Sequence, residues 1–171
     1  MPDAVLVQLF EHKAWCNRRL VEALRAAPAD VDRRQMAVIL LTFEHTSIID
    51  RIFKAHLSGE AHAFTETAGN RRPDLDQLAA IMAETDHWYT DYVAAAPQAE
   101  LETPIAFTFV DGDGGLMTKA QMLDHVVTHG AAHRGAIGVM MEAANIAGAS
   151  DMVTTMVSQR RGALIPVSRC S

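Results

Sequence analysis

The stretch "DHVVTHGAAHRG", Asp124 to Gly135, places His125, His129 and His133 four residues apart. On a helix of about 3.6 residues per turn, an i,i+4 pair presents two imidazole nitrogens from adjacent turns of one face, which suits a single metal ion. His125 and His133 are separated by about 12 Å of helix rise, so one ion would take either the 125/129 or the 129/133 pair. A further imidazole, His45, lies in "MAVILLTFEHTSIIDRIFKAHL". There Val38, Leu41, His45, Ile48, Ile52 and Ala55 recur at alternating steps of three and four, the spacing of a core seam. In the same projection Met122, Val126, His129, His133, Ala136 and Met140 share one stripe, with His125 at its edge. A neutral imidazole buried with an unmet lone pair costs about 1–3 kcal/mol. A divalent ion shared by His45, His129 and His133 would remove that cost, because neutral nitrogens are its ligands. The chain lacks "HExxH", so the base of a zinc protease is not in place.

The elements that must position these side chains are helices. Helical spacing with Val5, Leu9, Leu20 and Leu24 runs from about Pro2 to Ala27 and stops at Pro28. A second helix opens after Asp32 and closes at Ser58-Gly59, where glycine gives a C-terminal stop. "EAHAFTETAGNRRP" reads as a loop, and Asp74 with Gln77 as a capping box opening a third helix that ends near Pro97. Then "TPIAFTFV" and "GLMT" flank "DGDG", a two-stranded hairpin with an Asp-Gly turn. A calcium loop there would need Gly at Leu116 and Glu at Met122, so it is excluded. Thr118 and Gln121 form another capping box, opening the helix that carries the histidine row. A short helix follows Ser150. The expected fold is all-α: a four-helix bundle with a small β-hairpin between helices three and four, residues 1–158, and a C-terminal tail, 159–171.

Composition narrows the function classes. The chain has 171 residues, 49% hydrophobic and 21% charged, which suits one globular domain. A net charge of −6 and scattered arginines argue against a nucleic-acid partner. No apolar run approaches the length of a membrane span, and "MPDAVLVQLFEHK" lacks a positively charged start, so no membrane association and a cytoplasmic location are expected. Two cysteines make no disulfide framework: Cys16 reads as a small buried hydrophobe and Cys170 as part of the tail. His12 and Cys16 stand i,i+4 with no further ligand in view and read as packing and surface residues. His56, His62 and His87 read as solvated or edge residues. Arg134 points about 100° around the helix from His133 and is expected to pair with an acid or a partner subunit. A homodimer through the helices is the expected assembly.

"FEHTSIIDRIFKAHLSGE" followed by "TKAQMLDHVVTHGAAHRGAI" resembles the DinB/YfiT-like family of metalloenzymes. "LFEHKAWCNRRLVEAL", with Trp15 and Asn17, is similar to that family's first helix, so the likeness covers roughly residues 5 to 150. The resemblance implies a bundle with a three-histidine metal site near one end, held by His45, His129 and His133. His125, Trp15 and Arg134 then fall beside the site or in its pocket wall. Where the family often reads HRGQ, this chain has "HRGA", with Ala136 in place of the amide. The resemblance also implies thiol-dependent transferase or isomerase chemistry, or hydrolysis, on a small molecule, with a low-molecular-weight thiol as partner. It does not point to a polymerase or to DNA contact. Three neutral imidazoles suit several divalent ions, with zinc or nickel expected. The alternative is a non-catalytic module that binds metal or a small ligand.

Overall fold

The structure is a computed structural model that describes residues 2–69 and 71–160. Its elements are α1 (Ala4–Arg25), α2 (Arg33–Ser58), α3 (Leu75–Ala95), α4 (Gln98–Leu101), β1 (Pro104–Thr108), β2 (Gly114–Thr118), α5 (Lys119–Ala143) and α6 (Val153–Arg160). The expected four-helix bundle is formed by α1, α2, α3 and α5, with α1 packed mainly on α3 and α2 mainly on α5. The one-turn helix α4 was not foreseen. Helix α6 includes Gln159 and Arg160, and the rest of the expected tail, with Cys170, lies outside the described residues.

Local chemistry sets the helix ends. The carboxylates of Asp3, Asp32 and Asp74 accept from the first free backbone N–H groups of α1, α2 and α3. At the start of α5 the Thr118 hydroxyl accepts from Gln121 N while the Gln121 side chain accepts from Thr118 N, a complete capping box. Gly59 ends α2 at φ 70°, a left-handed conformation that costs glycine little. The hairpin pairs Pro104 with Thr118 and Thr108 with Gly114. Thr118 thus ends β2 and caps α5, so the hairpin feeds directly into the histidine helix. A β-carbon at Gly115 would run into the Phe107 ring, which lies across from it in the register.

The core has two apolar parts. One gathers Leu20, Leu24, Ile39, Phe43, Met82, Ile137 and Met141. The other gathers Phe10, Phe53, Tyr89, Val93, Phe107, Met122 and Val126. On every long helix polar or small residues are buried between these two sets: Lys13 and Asn17 on α1, Thr46, Ser47 and Asp50 on α2, Thr85 and Asp86 on α3, Gly130 and Arg134 on α5. Lys13 Nζ donates to Asp50 Oδ2 and to Asp86 Oδ1, each at 2.6 Å, with the lysine side chain 1% exposed. Asn17 Nδ2 donates to Asp86 Oδ2 at 2.8 Å and Asn17 Oδ1 accepts from Arg134 Nη1 at 3.2 Å. Arg134 Nε reaches both Asp151 oxygens at 3.2 and 3.3 Å. A charged layer thus crosses the bundle between its two apolar halves.

This layer corrects the projected stripes. Val38 is 51% exposed, Val5 66% and Leu9 38%, and Ala136 is exposed. The buried line of α5 runs through Met122, Val126, Gly130, Arg134, Ile137 and Met141. Polar residues hold core positions here, so hydrophobicity alone places the stripe to one side of its true centre. His129 and His133 therefore lie on the flank of the buried face.

Burial would lower the pKa of the Lys13 ammonium, and the attraction of Asp50 and Asp86 reverses this, so its pKa ends above its usual range. Removing one partner of a buried ion pair costs about 3–5 kcal/mol, whereas an exposed pair contributes at most about 1 kcal/mol. Lys13→Met should therefore lower the urea midpoint strongly. Arg25→Ala, which removes the exposed 2.8 Å pair with Asp76, should barely move it. Equal effects of the two variants on the midpoint would show that the buried layer does not carry this stability.

Candidate metal centre

His45 projects from the middle of α2, and His129 and His133 from successive turns in the middle of α5, at the level of the charged layer. The cluster is thus midway along the helices, not near one end as the resemblance implied. His45 Nε2 and His129 Nε2 are 3.2 Å apart, and one ring nitrogen from each of the three histidines lies within 4.8 Å of the others. Ring centroids are separated by 5.1 Å for 45/129, 4.8 Å for 45/133 and 4.4 Å for 129/133. Of the two pairs that spacing left open, the structure brings 129/133 to His45.

The orientation of His45 has a local cause. Its Nδ1 lies 2.6 Å from the carbonyl oxygen of Thr67 in the loop after α2. A carbonyl only accepts, so Nδ1 carries the proton and the Nε2 lone pair points at His129. Two nitrogens bound to one tetrahedral ion at about 2.0–2.1 Å would lie about 3.3 Å apart, close to the separation found. His129 Nδ1 is buried without a hydrogen-bond partner among the described residues. The donor set, the spacing and the fixed tautomer of His45 all fit a divalent ion, and the His45/His129/His133 cluster can hold one.

Desolvation, followed by the neighbouring His133 and His45, pushes the pKa of His129 down to about 4, and desolvation with His45 lowers that of His133. His129 is therefore neutral, and so able to act as a ligand, throughout the physiological range. His125 lies beside the cluster: its ring stacks on Phe53 at 4.7 Å and on His129 at 5.3 Å. Trp15 packs with Cys16 and Met156, and its ring lies 6.0 Å from that of His12. Arg134 pairs with an acid, Asp151, as its position suggested, and is buried in the charged layer. A β-carbon at Gly130 would stand 3.2 Å from Arg134 Nη1 and 3.6 Å from Lys13 Cε, so glycine beside His129 lets that layer approach the histidine helix.

Other expectations are corrected by the structure. Asp151 comes from outside the helices to join His12 and Cys16, supplying a third group that spacing did not show. His56 and His62 are half-buried, ring to ring at 5.2 Å, with His56 Nε2 and His62 Nδ1 enclosed and unpartnered among the described residues, so they are not simply solvated. His87 is exposed beside Asp91, as expected. Lys13, Asp50 and Asp86 were missed, although "IIDRI" does place an acid inside an apolar run. A groove of about 600 Å³ between α1 and α3 is lined by Asn17, Asp86 and several alanines and contains none of the clustered histidines. Convergent ligand atoms locate metal chemistry better than cavity size does.

A model of the DinB family matches residues 1–161. The chain belongs to the DinB family. No curated protein matches it. Among the described residues of this DinB-family chain, no helix is long and apolar enough to cross a membrane.

In metal-free DinB-family protein, His129 should give stability its own pH dependence. Its folded pKa of about 4 lies below the usual 6.5 of the unfolded chain. Between those values the unfolded state takes up a proton that the folded state refuses, so the contribution is complete above about 6.5 and is lost as pH falls toward about 4. Asp50, pushed up to about 6 by burial, acts in the opposite sense over an overlapping range. The His129 share is therefore read by difference: the advantage of the chelated wild type over His129→Gln in unfolding free energy should shrink from pH 7 to pH 4.5. A constant difference would show that His129 is not desolvated in solution.

Proposed function

We propose that this DinB-family chain is a metal-dependent enzyme whose divalent ion, zinc or nickel, is held by His45, His129 and His133, and which acts on a low-molecular-weight thiol and an electrophile. The observation that carries the reading is the 3.2 Å approach of His45 Nε2 to His129 Nε2, with His133 in the same cluster. When bound, the ion supplies positive charge that lowers the pKa of a thiol or water beside it.

The chain's own residues set the charge, shape and access of the site. Imidazoles are neutral ligands, and among the described residues no carboxylate joins the cluster, so the bound site keeps a net positive charge that favours an anionic ligand from solution. Lys13 lies close enough to His129 to add to the lowering of its pKa, and it holds one oxygen each of Asp50 and Asp86. His45 is oriented by the Thr67 carbonyl and needs no rearrangement to present Nε2. His125 and Phe53, stacked together, form an apolar wall on one side. The half-exposed ring of His133 leaves the cluster reachable from solvent. A thiolate is a better nucleophile than water at neutral pH, which supports thiol transfer or isomerisation over hydrolysis.

Elemental analysis of protein purified without a metal-affinity column tests the ligand set. His45→Ala and His133→Ala should each lose one equivalent of ion, and His125→Ala should lose none; the reverse pattern would overturn the assignment. Glutathione added to cobalt-substituted protein should produce a new charge-transfer band, absent in His45→Ala, and consumption of an electrophile should require metal. If millimolar thiol leaves the spectrum unchanged and no electrophile is consumed, the chain is a metal-binding module and not a thiol transferase.

A further inference from the structure

Apart from the three histidines, a second group of metal-binding side chains meets the charged layer: His12 and Cys16 stand one turn apart on α1, and Asp151 reaches them from the segment before α6. Cys16 Sγ lies 3.2 Å from His12 Nε2, and one ligand atom from each of the three residues lies within 4.8 Å of the others. We propose that His12, Cys16 and Asp151 form a second divalent-metal site, of the thiolate-containing kind that selects zinc.

The donor set supports this. Thiolate sulfur, imidazole nitrogen and carboxylate oxygen are each zinc ligands, and three protein ligands leave the fourth tetrahedral position for water. A nitrogen and a sulfur bound to the same zinc would lie about 3.5 Å apart, so the i,i+4 pair needs only a small adjustment. Space is present beside it: a cavity of about 20 Å³ is lined by Cys16, Arg134, Ser150 and Asp151. That volume is enough for roughly one water or one ion. The three ligands grade from a buried Cys16 through a half-buried His12 to an exposed Asp151, which gives an ion a path in from solvent. Arg134 holds both Asp151 oxygens through Nε, yet a carboxylate offers about four lone-pair sites, so guanidinium and ion can share it. The guanidinium fixes the carboxylate in place.

A catalytic thiol–imidazole pair is the competing use of the same residues. Burial, with Asp151 alongside, pushes the Cys16 thiol up to about 12, so without a bound cation it is no nucleophile. Binding is a ligand exchange with no change of oxidation state: the sulfur–metal bond forms, the sulfur–hydrogen bond breaks, and the proton leaves to solvent. The structural effect is to tie α1 to the start of α6, whose contacts with α1 include Met156 packed on Trp15 and Cys16 and the exposed 2.7 Å pair of Arg160 with Glu11.

The test uses the His45→Ala/His133→Ala protein, stripped of metal and kept free of added thiol, so its outcome is separate from that of the three-histidine reading. Cobalt should bind at one equivalent and give a near-ultraviolet sulfur-to-metal band, since the disabled cluster contains no sulfur. Adding Cys16→Ser should abolish the band and adding Cys170→Ser should leave it. His12→Ala and Asp151→Asn should weaken binding by roughly tenfold or more. Because Cys16→Ser perturbs a packed position, alkylation of Cys16 is measured as well, and zinc should slow it. A band that survives Cys16→Ser, no retained cobalt, or an alkylation rate indifferent to zinc would each overturn the proposal.

Discussion

The Lys13 ammonium, enclosed between the Asp50 and Asp86 carboxylates, is the constraint that the rest of the bundle obeys. A desolvated charge is tolerated only with partners at hydrogen-bond distance, and these partners come from two other helices. α1, α2 and α3 can therefore slide past one another only by breaking a buried 2.6 Å contact. Apolar packing tolerates small shifts in register, and a buried ion triad does not. Asn17 and Arg134 extend the same requirement to α5 and, through Asp151, to the segment before α6.

That layer also explains where the histidines are and what state they are in. They occupy the flank of the same level, where the two apolar halves of the core separate and Gly130 lets the charged groups approach α5. Partial burial first, then the neighbouring histidines and last the Lys13 ammonium disfavour imidazolium, so His129 is kept neutral well below its usual pKa. Neutral nitrogens turned toward one another across 3.2 Å share at most one hydrogen bond without an ion, and are good ligands with one. The charged layer and the candidate metal centre are thus one arrangement, with the fixed positive charge of Lys13 balanced by carboxylates and the histidine side left neutral.

The two candidate ligand groups both adjoin this layer and differ in kind. The His45/His129/His133 cluster has only imidazoles, anchored on two long helices and by the loop that offers the Thr67 carbonyl. The His12/Cys16/Asp151 group combines a helix with a connecting segment, and its carboxylate already belongs to the network through Arg134. Asp151 therefore joins the interior of the bundle to the segment that leads into α6.

Features that depend on neighbours in the chain were legible from the residues alone: the caps at Asp74 and Thr118, the helix start after Asp32, the hairpin turn, the helix ends and the i,i+4 spacing of His129 and His133. Each is decided within one or two turns of backbone, where spacing and hydrogen-bonding capacity are enough. His45 could be joined to the pair because it falls on an apolar run, although its true position is beside the buried face and not at its centre. Lys13 with its two carboxylates, the exposure of Val38 and Ala136, and the arrival of Asp151 beside Cys16 were decided only by the tertiary structure. A charged residue is written into the sequence as surface, and it becomes core only when helices distant along the chain bring the opposite charge to it. Hydrophobic period reports the energy of one helix against an average interior, whereas burial of charge is a property of the particular partners that folding assembles.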